Sequence, residues 1–242
     1  MININDLLII FLIIFLTNIV QTITGFAGSM LAMPFLLLIM SMSDAKILIV
    51  IVGVFWSLWM LVRNFKKVNW KFVWILSLIM SIGIIIGVLL LKIVPIKIVL
   101  LIMGLVIISA AIKNLIGKNI DTNNKILEFI FGIFSGIMQG MVLMGGPFLV
   151  LVANSYLKDR EEYRTTLAVL WLVINFVLLF VYWLQKLYNT KIFLMSAVSA
   201  FPLVLAIYVG SLLNKKINNK QFEFLVNILL IVSALSMLVK IF

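Results

Sequence analysis

The sequence predicts an all-α polytopic membrane protein built from two repeated halves, and three observations carry that expectation. Apolar residues make up 65% of the chain and charged ones 11%, against about 45–50% and 25% in ordinary soluble domains. Apolar runs of about 20 residues, each able to cross a hydrocarbon core of about 30 Å, recur along the whole length. Two of these runs, Gln21–Leu38 and Phe131–Val150, are interrupted by helix breakers and together hold seven of the thirteen glycines and two of the four prolines. Lipid offers no water to freed backbone groups, so irregular backbone at that depth survives only inside protein or against a cavity.

Taken in order, residues 7–40 form an apolar run too long for one ordinary span. It is interrupted by Thr17, Asn18, Gln21, Thr22, Thr24, Gly25 and Gly28, and it reads as two half-length helices meeting near Gln21–Gly28. The N-terminus has neither the basic region nor the small-residue cleavage site of a secretory signal, so it reads as part of the first membrane segment. Residues 41–46 form a turn, with Ser43 as an N-cap for the next helix. Spans follow at about 46–62, 72–91 and 96–116, the first closing on a basic, aromatic turn with Arg63, Lys66, Lys67, Trp70 and Lys71. Gly83 and Gly87 stand four apart, a spacing that lets helices approach closely. The polar segment Lys113–Lys125 then parts the halves.

The second half repeats the plan. Its broken segment covers about 128–153, the polar turn SYLKDREEYR follows, and spans are expected at about 165–185, 191–213 and 221–241. The Pro-Phe-Leu triplets at Pro34 and Pro147, the two prolines assigned to the breaks, lie 113 residues apart. The reading is thus a single membrane domain: repeat one at about 6–116, a linker at 117–125 and repeat two at about 126–242. Each half has one broken or re-entrant segment plus three transmembrane helices, about eight membrane segments in all.

Lysine and arginine test how the broken segments lie. If each crossed the membrane once, the loops would carry ten basic residues on one side and nine on the other. If each is a hairpin returning to the side it entered, Lys46, Lys92, Lys97, Lys186, Lys191 and Lys240 fall on one side and the other thirteen on the opposite side. Only the hairpin arrangement gives a positive-inside bias. It makes the halves inverted relative to one another and places both termini outside a cell membrane.

The formal charge of +11 follows from those segment ends, and no basic stripe interleaved with aromatics points to nucleic acid. Cysteine and histidine are absent, which removes thiol, imidazole and Cys/His metal chemistry. No metal or other cofactor is expected, and no nucleophile–base pair marks an enzyme. All eight carboxylates lie at segment ends or in loops, which argues against a carboxylate proton relay or cation pathway. An anion suits the breaks better, because helix N-termini offer N–H groups and partial positive charge.

The candidate solute-binding residues are Gln21, Thr22, Thr24, Gly25, Gly28, Ser29, Ser135, Gln139, Gly140, Gly145, Gly146, Arg164 and Asn175. Several have plainer readings. Gly132, Gly136 and Gly140 form a GxxxGxxxG ladder that more often packs helices. Gln21 and Gln139 serve equally as hydrogen-bonding glue, and Arg164 as a partner of Glu161 or a snorkelling cation. Gly145-Gly146-Pro147 is harder to explain by packing and reads as a functional turn. The six tryptophans read as belt or packing residues, and the thirteen methionines as apolar filler.

The segments NIVQTITGFAGSMLAMPFLLL, RNFKKVNW, GGPFLVLVANSYLKDREEYRTTLAVLWLVIN and GSLLNKKINNKQFEFLVNILLIVSALSMLVK resemble the sulfite exporter (TauE/SafE-type) membrane transporter family, in that family's order. The resemblance implies a two-repeat secondary transporter that exports small organic or sulfur-containing anions without ATP. The chain departs from the family's glycine-rich pattern at Ala27, Ser29 and Gln139, which implies a differently shaped site. The expected function is therefore a secondary transporter exporting a small anion, the two breaks forming one site. A passive anion channel and a non-transporting scaffold stay open as alternatives. The expected partners are the lipid bilayer and the small anion, and the sequence leaves room for a homo-oligomer.

Overall fold

The computed structural model describes residues 4–91, 93–95, 124–157 and 159–239, together with positions 97, 98, 101, 105 and 108. Apart from those single positions, the predicted span at about 96–116 and residues 117–123 of the linker lie outside the described residues. Among the described residues the chain forms nine α-helices, one 3-10 turn and no strand. These are α1 Ile4–Thr24, α2 Gly28–Leu36, α3 Met42–Asn64, α4 Trp70–Leu90, α5 Lys125–Val142, α6 Gly146–Tyr156, α7 Arg160–Leu184, α8 Thr190–Lys216 and α9 Asn219–Val239, with the 3-10 turn at Phe65–Lys67.

Six stretches among the described residues are long and apolar enough to cross a bilayer: Asp6–Thr24, Met42–Lys67, Trp70–Leu90, Lys125–Val142, Arg160–Leu184 and Thr190–Lys216. The broken segments differ from the two half-length helices predicted. Each pairs a long helix with a short one, α1 of 21 residues with α2 of 9, and α5 of 18 with α6 of 11. At 1.5 Å per residue the short arms reach only about 14–17 Å. The polar residues of Thr17–Gln21 do not stop α1, because Thr17, Asn18, Thr22 and Thr24 each bond a carbonyl one turn back. Side chains satisfied in this way fit inside an apolar helix.

Ser41 rather than Ser43 caps α3, its hydroxyl accepting from the Asp44 N–H at 3.2 Å. Pro34 lies inside α2 and so does not form the break assigned to it, whereas Pro147 stands in the first turn of α6. Pro is tolerated there because the N–H it lacks has no helical partner anyway.

The chain divides into two compact units, Met1–Ser77 with Glu161–Lys216, and Leu78–Arg160 with Ile217–Phe242. Helices α4 and α7 contribute to both. In the first unit α1 packs on α2 and α8, and α3 packs on α2 and α8. The α3 end of this unit is bolted to the start of α7: Asn69 N donates to Thr166 Oγ1 at 3.0 Å, Asn69 Nδ2 to Glu162 Oε1 at 3.1 Å, and Lys67 pairs with Glu161. At the other end Asn189 Nδ2 donates to Asp44 Oδ1 at 3.0 Å. Helices α3 and α7 therefore run antiparallel.

In the second unit α4 and α5 meet through glycine. A Cβ on Gly136 would lie 2.2 Å from Met80 O and 2.9 Å from Gly83 Cα, and one on Gly87 2.3 Å from Ile137 O. The packing reading of the glycine ladder thus holds at Gly136 and Gly140, the latter 2.6 Å from Ile84 O by the same measure. Tyr156 donates to Glu128 Oε2 at 2.6 Å, tying the end of α6 to the first turn of α5.

Candidate functional site

Both breaks use one device. At the first, Gly25 turns left-handed with φ 88°, and its N–H donates to Gln21 O at 2.7 Å. The Gln21 side-chain oxygen reaches over the turn to accept the N–H of Gly28, the first residue of α2. At the second, Leu143 turns left-handed with φ 58°, its N–H donates to Gln139 O at 3.1 Å, and Gln139 Oε1 accepts from Gly145 N at 3.1 Å. A glutamine in the last turn of each long helix thus closes its own helix and starts the next. The side-chain oxygens of Gln21 and Gln139 are each engaged by a backbone N–H across the break.

Around the first break, Thr22 is the meeting point of four helices. Its hydroxyl donates to Asn18 O at 2.7 Å and accepts from the indole of buried Trp56 on α3 at 3.0 Å. Gly210 of α8 comes so close that a Cβ there would sit 2.7 Å from Thr22 Cβ. The Thr22 carbonyl, which loses its helical partner at the break, accepts from Arg164 through both Nε, at 3.0 Å, and Nη2. Arg164 is buried and lies over the negative end of the α1 dipole, where a cation is favoured. Glu161 pairs with Lys67. Gly25 lies against the same backbone, its hypothetical Cβ 3.2 Å from Arg164 Cα. Thr24 is buried with its hydroxyl on Val20 O at 2.9 Å, and Ser29 is half-buried in the first turn of α2.

At the second break, Ser135 Oγ donates to Gly145 O at 2.8 Å, and its hydroxyl also meets Met80 Sδ at 3.8 Å. A Cβ on Gly145 would lie 2.3 Å from Ser135 O, so this turn is folded tightly onto α5. Gly146 starts α6, while Gly140 faces α4 rather than the turn.

The predicted residues thus gather in two sets, each within one unit: Gln21, Thr22, Thr24, Gly25, Gly28, Ser29 and Arg164 in the first, Ser135, Gln139, Gly145 and Gly146 in the second. Asn175 lies three turns along α7 from Arg164, its Nδ2 2.7 Å from where a Gly53 Cβ would be. Lys46, counted in the sequence as a loop cation, is buried within α3. Trp56 is a structural donor that the sequence reading placed with generic packing. Its signal was the spacing to a Thr-containing break, which does not identify a contact 34 residues away. Among the described residues no group of three or more carboxylate, histidine or cysteine side chains could hold a metal.

No curated protein and no solved structure matches the chain. A family model described as Sulfite exporter TauE/SafE matches residues 10–237, nearly the whole length. With its long apolar helices, the chain is a multi-pass membrane protein that belongs to the TauE/SafE sulfite exporter family.

Proposed function

We propose that the chain is a secondary transporter that exports a small, acceptor-rich anion, sulfur oxyanions and sulfonates first among them, across the cell membrane. The observation that carries this is the same glutamine clamp at both breaks, in buried segments without a carboxylate. Left-handed Leu143 adds support. A non-glycine residue there costs about 1–2 kcal/mol, and such strain is concentrated at ligand clamps and switch regions. In this reading each break acts within its own unit, the first turn of α2 with Thr22, Thr24, Ser29 and Arg164 beside it, and the first turn of α6 with Ser135, each offering N–H groups and partial positive charge to an anion. Basic loops face the cytoplasm by the positive-inside bias. Outward movement of an anion then gains about 2.3 kcal/mol per charge per 100 mV of inside-negative potential.

The test is uptake into proteoliposomes loaded with sulfite, methanesulfonate or acetate. A carrier shows saturable counterflow of labelled anion against an unlabelled excess. Flux that is linear in concentration with no counterflow indicates a channel, and no flux of any anion overturns the transport reading.

A further inference from the structure

Two facing helices of the first unit carry a second set of polar groups. On α7, Arg164, Ala168, Trp171, Asn175, Leu178 and Tyr182 recur at intervals of three and four and so share one face. On α3, Lys46, Val50, Gly53, Ser57 and Met60 do the same. The two stripes face each other at Gly53 and Asn175, and the antiparallel run is fixed at both ends by Lys67 with Glu161 and by Asp44 with Asn189. Stepping four residues along each helix from that contact brings Ser57 and Trp171 to one level, about 6 Å away. Stepping seven residues the other way brings Lys46 and Tyr182 to one level, about 10 Å away.

Three of these groups are buried donors with nothing to donate to. Ser57 is 0% exposed, Trp171 5% and Tyr182 2%, and Ser57 Oγ, Trp171 Nε1 and Tyr182 OH have no hydrogen-bond partner among the described residues. Some comparable groups are satisfied, the Trp56 indole by Thr22 and the Ser196 hydroxyl by Ile192 O at 2.8 Å, whereas the Ser199 and Ser211 hydroxyls of α8 are buried without a hydrogen-bond partner as well. An indole N–H can only donate, so what completes this seam must bring acceptors. Both charged side chains on the two stripes, Lys46 and Arg164, are cations, and neither stripe carries a carboxylate.

We propose that the α3–α7 seam of the first unit is an oxyanion-binding site, with Ser57, Trp171 and Asn175 as one donor station and Tyr182, further along α7, as the next. The inference rests on the transport reading above and deepens it by naming residues beyond the breaks that would hold the anion. Arg164, bonded to the Thr22 carbonyl, links the first break to the start of the same stripe.

The experiment compares wild type with Ser57→Ala, Trp171→Phe and, as a structural indole control, Trp56→Phe. Each is titrated with sodium sulfite and sodium methanesulfonate in a thermal-shift assay, then assayed for sulfite flux in proteoliposomes. A hydrogen bond to a charged group is worth enough that Ser57→Ala and Trp171→Phe weaken the sulfite affinity read from the shift about ten-fold or more. Ser57→Ala without anion melts no lower than wild type, because it deletes an unsatisfied hydroxyl, while Trp56→Phe lowers the melting point and keeps the sulfite affinity. Sulfite affinity and flux unchanged in Ser57→Ala and Trp171→Phe, with wild type carrying sulfite, overturn the seam alone. A wild type that neither binds nor carries any oxyanion overturns the transport reading with it.

Discussion

The side-chain oxygen of Gln21 holds the backbone N–H of Gly28 across the first break, seven residues away. Both groups are buried, so removing the acceptor leaves an orphan donor that costs about 1–3 kcal/mol. Gln21→Leu is expected to lower stability by that amount, and Gln139→Leu to do the same through Gly145. Thermal unfolding of the detergent-solubilised protein checks both. Unchanged melting in either variant means that the clamp does not hold that break.

Where α4 and α5 touch through backbone, no volume is left for a methyl group. Gly136→Ala and Gly83→Ala are each expected to destabilise the protein by about 1–3 kcal/mol. Because Gly83 and Gly136 approach each other, the double variant should depart from additivity. Denaturant titration of the three variants measures it, and three wild-type midpoints would show that the helices part readily.

Trp56 and Thr22 form a hydrogen bond that a double-mutant cycle isolates. Trp56→Phe, Thr22→Val and the pair together should give a coupling of about 1 kcal/mol. A coupling near zero would mean that the indole is held by packing alone.

Arg164 places two of its donors on one carbonyl. Lysine has a point charge on a flexible stem and does not reproduce that fork. Arg164→Lys is therefore expected to cost about 1–2 kcal/mol of stability and to slow anion flux, as read by melting and by proteoliposome counterflow. A variant with wild-type melting and flux removes Arg164 from the break.

The Lys67–Glu161 pair, with its side chains 50% and 47% exposed, is of a different kind. Solvent screening leaves such a pair worth no more than about 1 kcal/mol. Lys67→Ala should accordingly leave the melting point within a few tenths of wild type at high salt, and a large loss would point to a buried role.

What was legible in the sequence were the places where lipid forbids an unexplained breaker. The chain turns at Gly25 and next to Gly145, inside the predicted windows, and the helices after them begin at Gly28 and Gly146. The unequal arms were not legible, because the polar residues from Thr17 to Thr24 look like interruptions until their side chains bond their own helix. Pro34 misled for a related reason: a proline seven residues into a short helix marks no break. The burial of Lys46 and the unsatisfied indole of Trp171 could not be foreseen, since both depend on how the helices pack rather than on spacing along the chain. The left-handed Leu143 was equally hidden, as nothing in a leucine announces a positive φ.

Helices that meet with main chain against main chain have no side-chain cushion to compress. The crossing of α4 and α5 at Gly83, Gly87, Gly136 and Gly140 can therefore neither roll nor widen by small degrees. It behaves as a rigid strut, whereas the turn at left-handed Leu143 is a spring already wound.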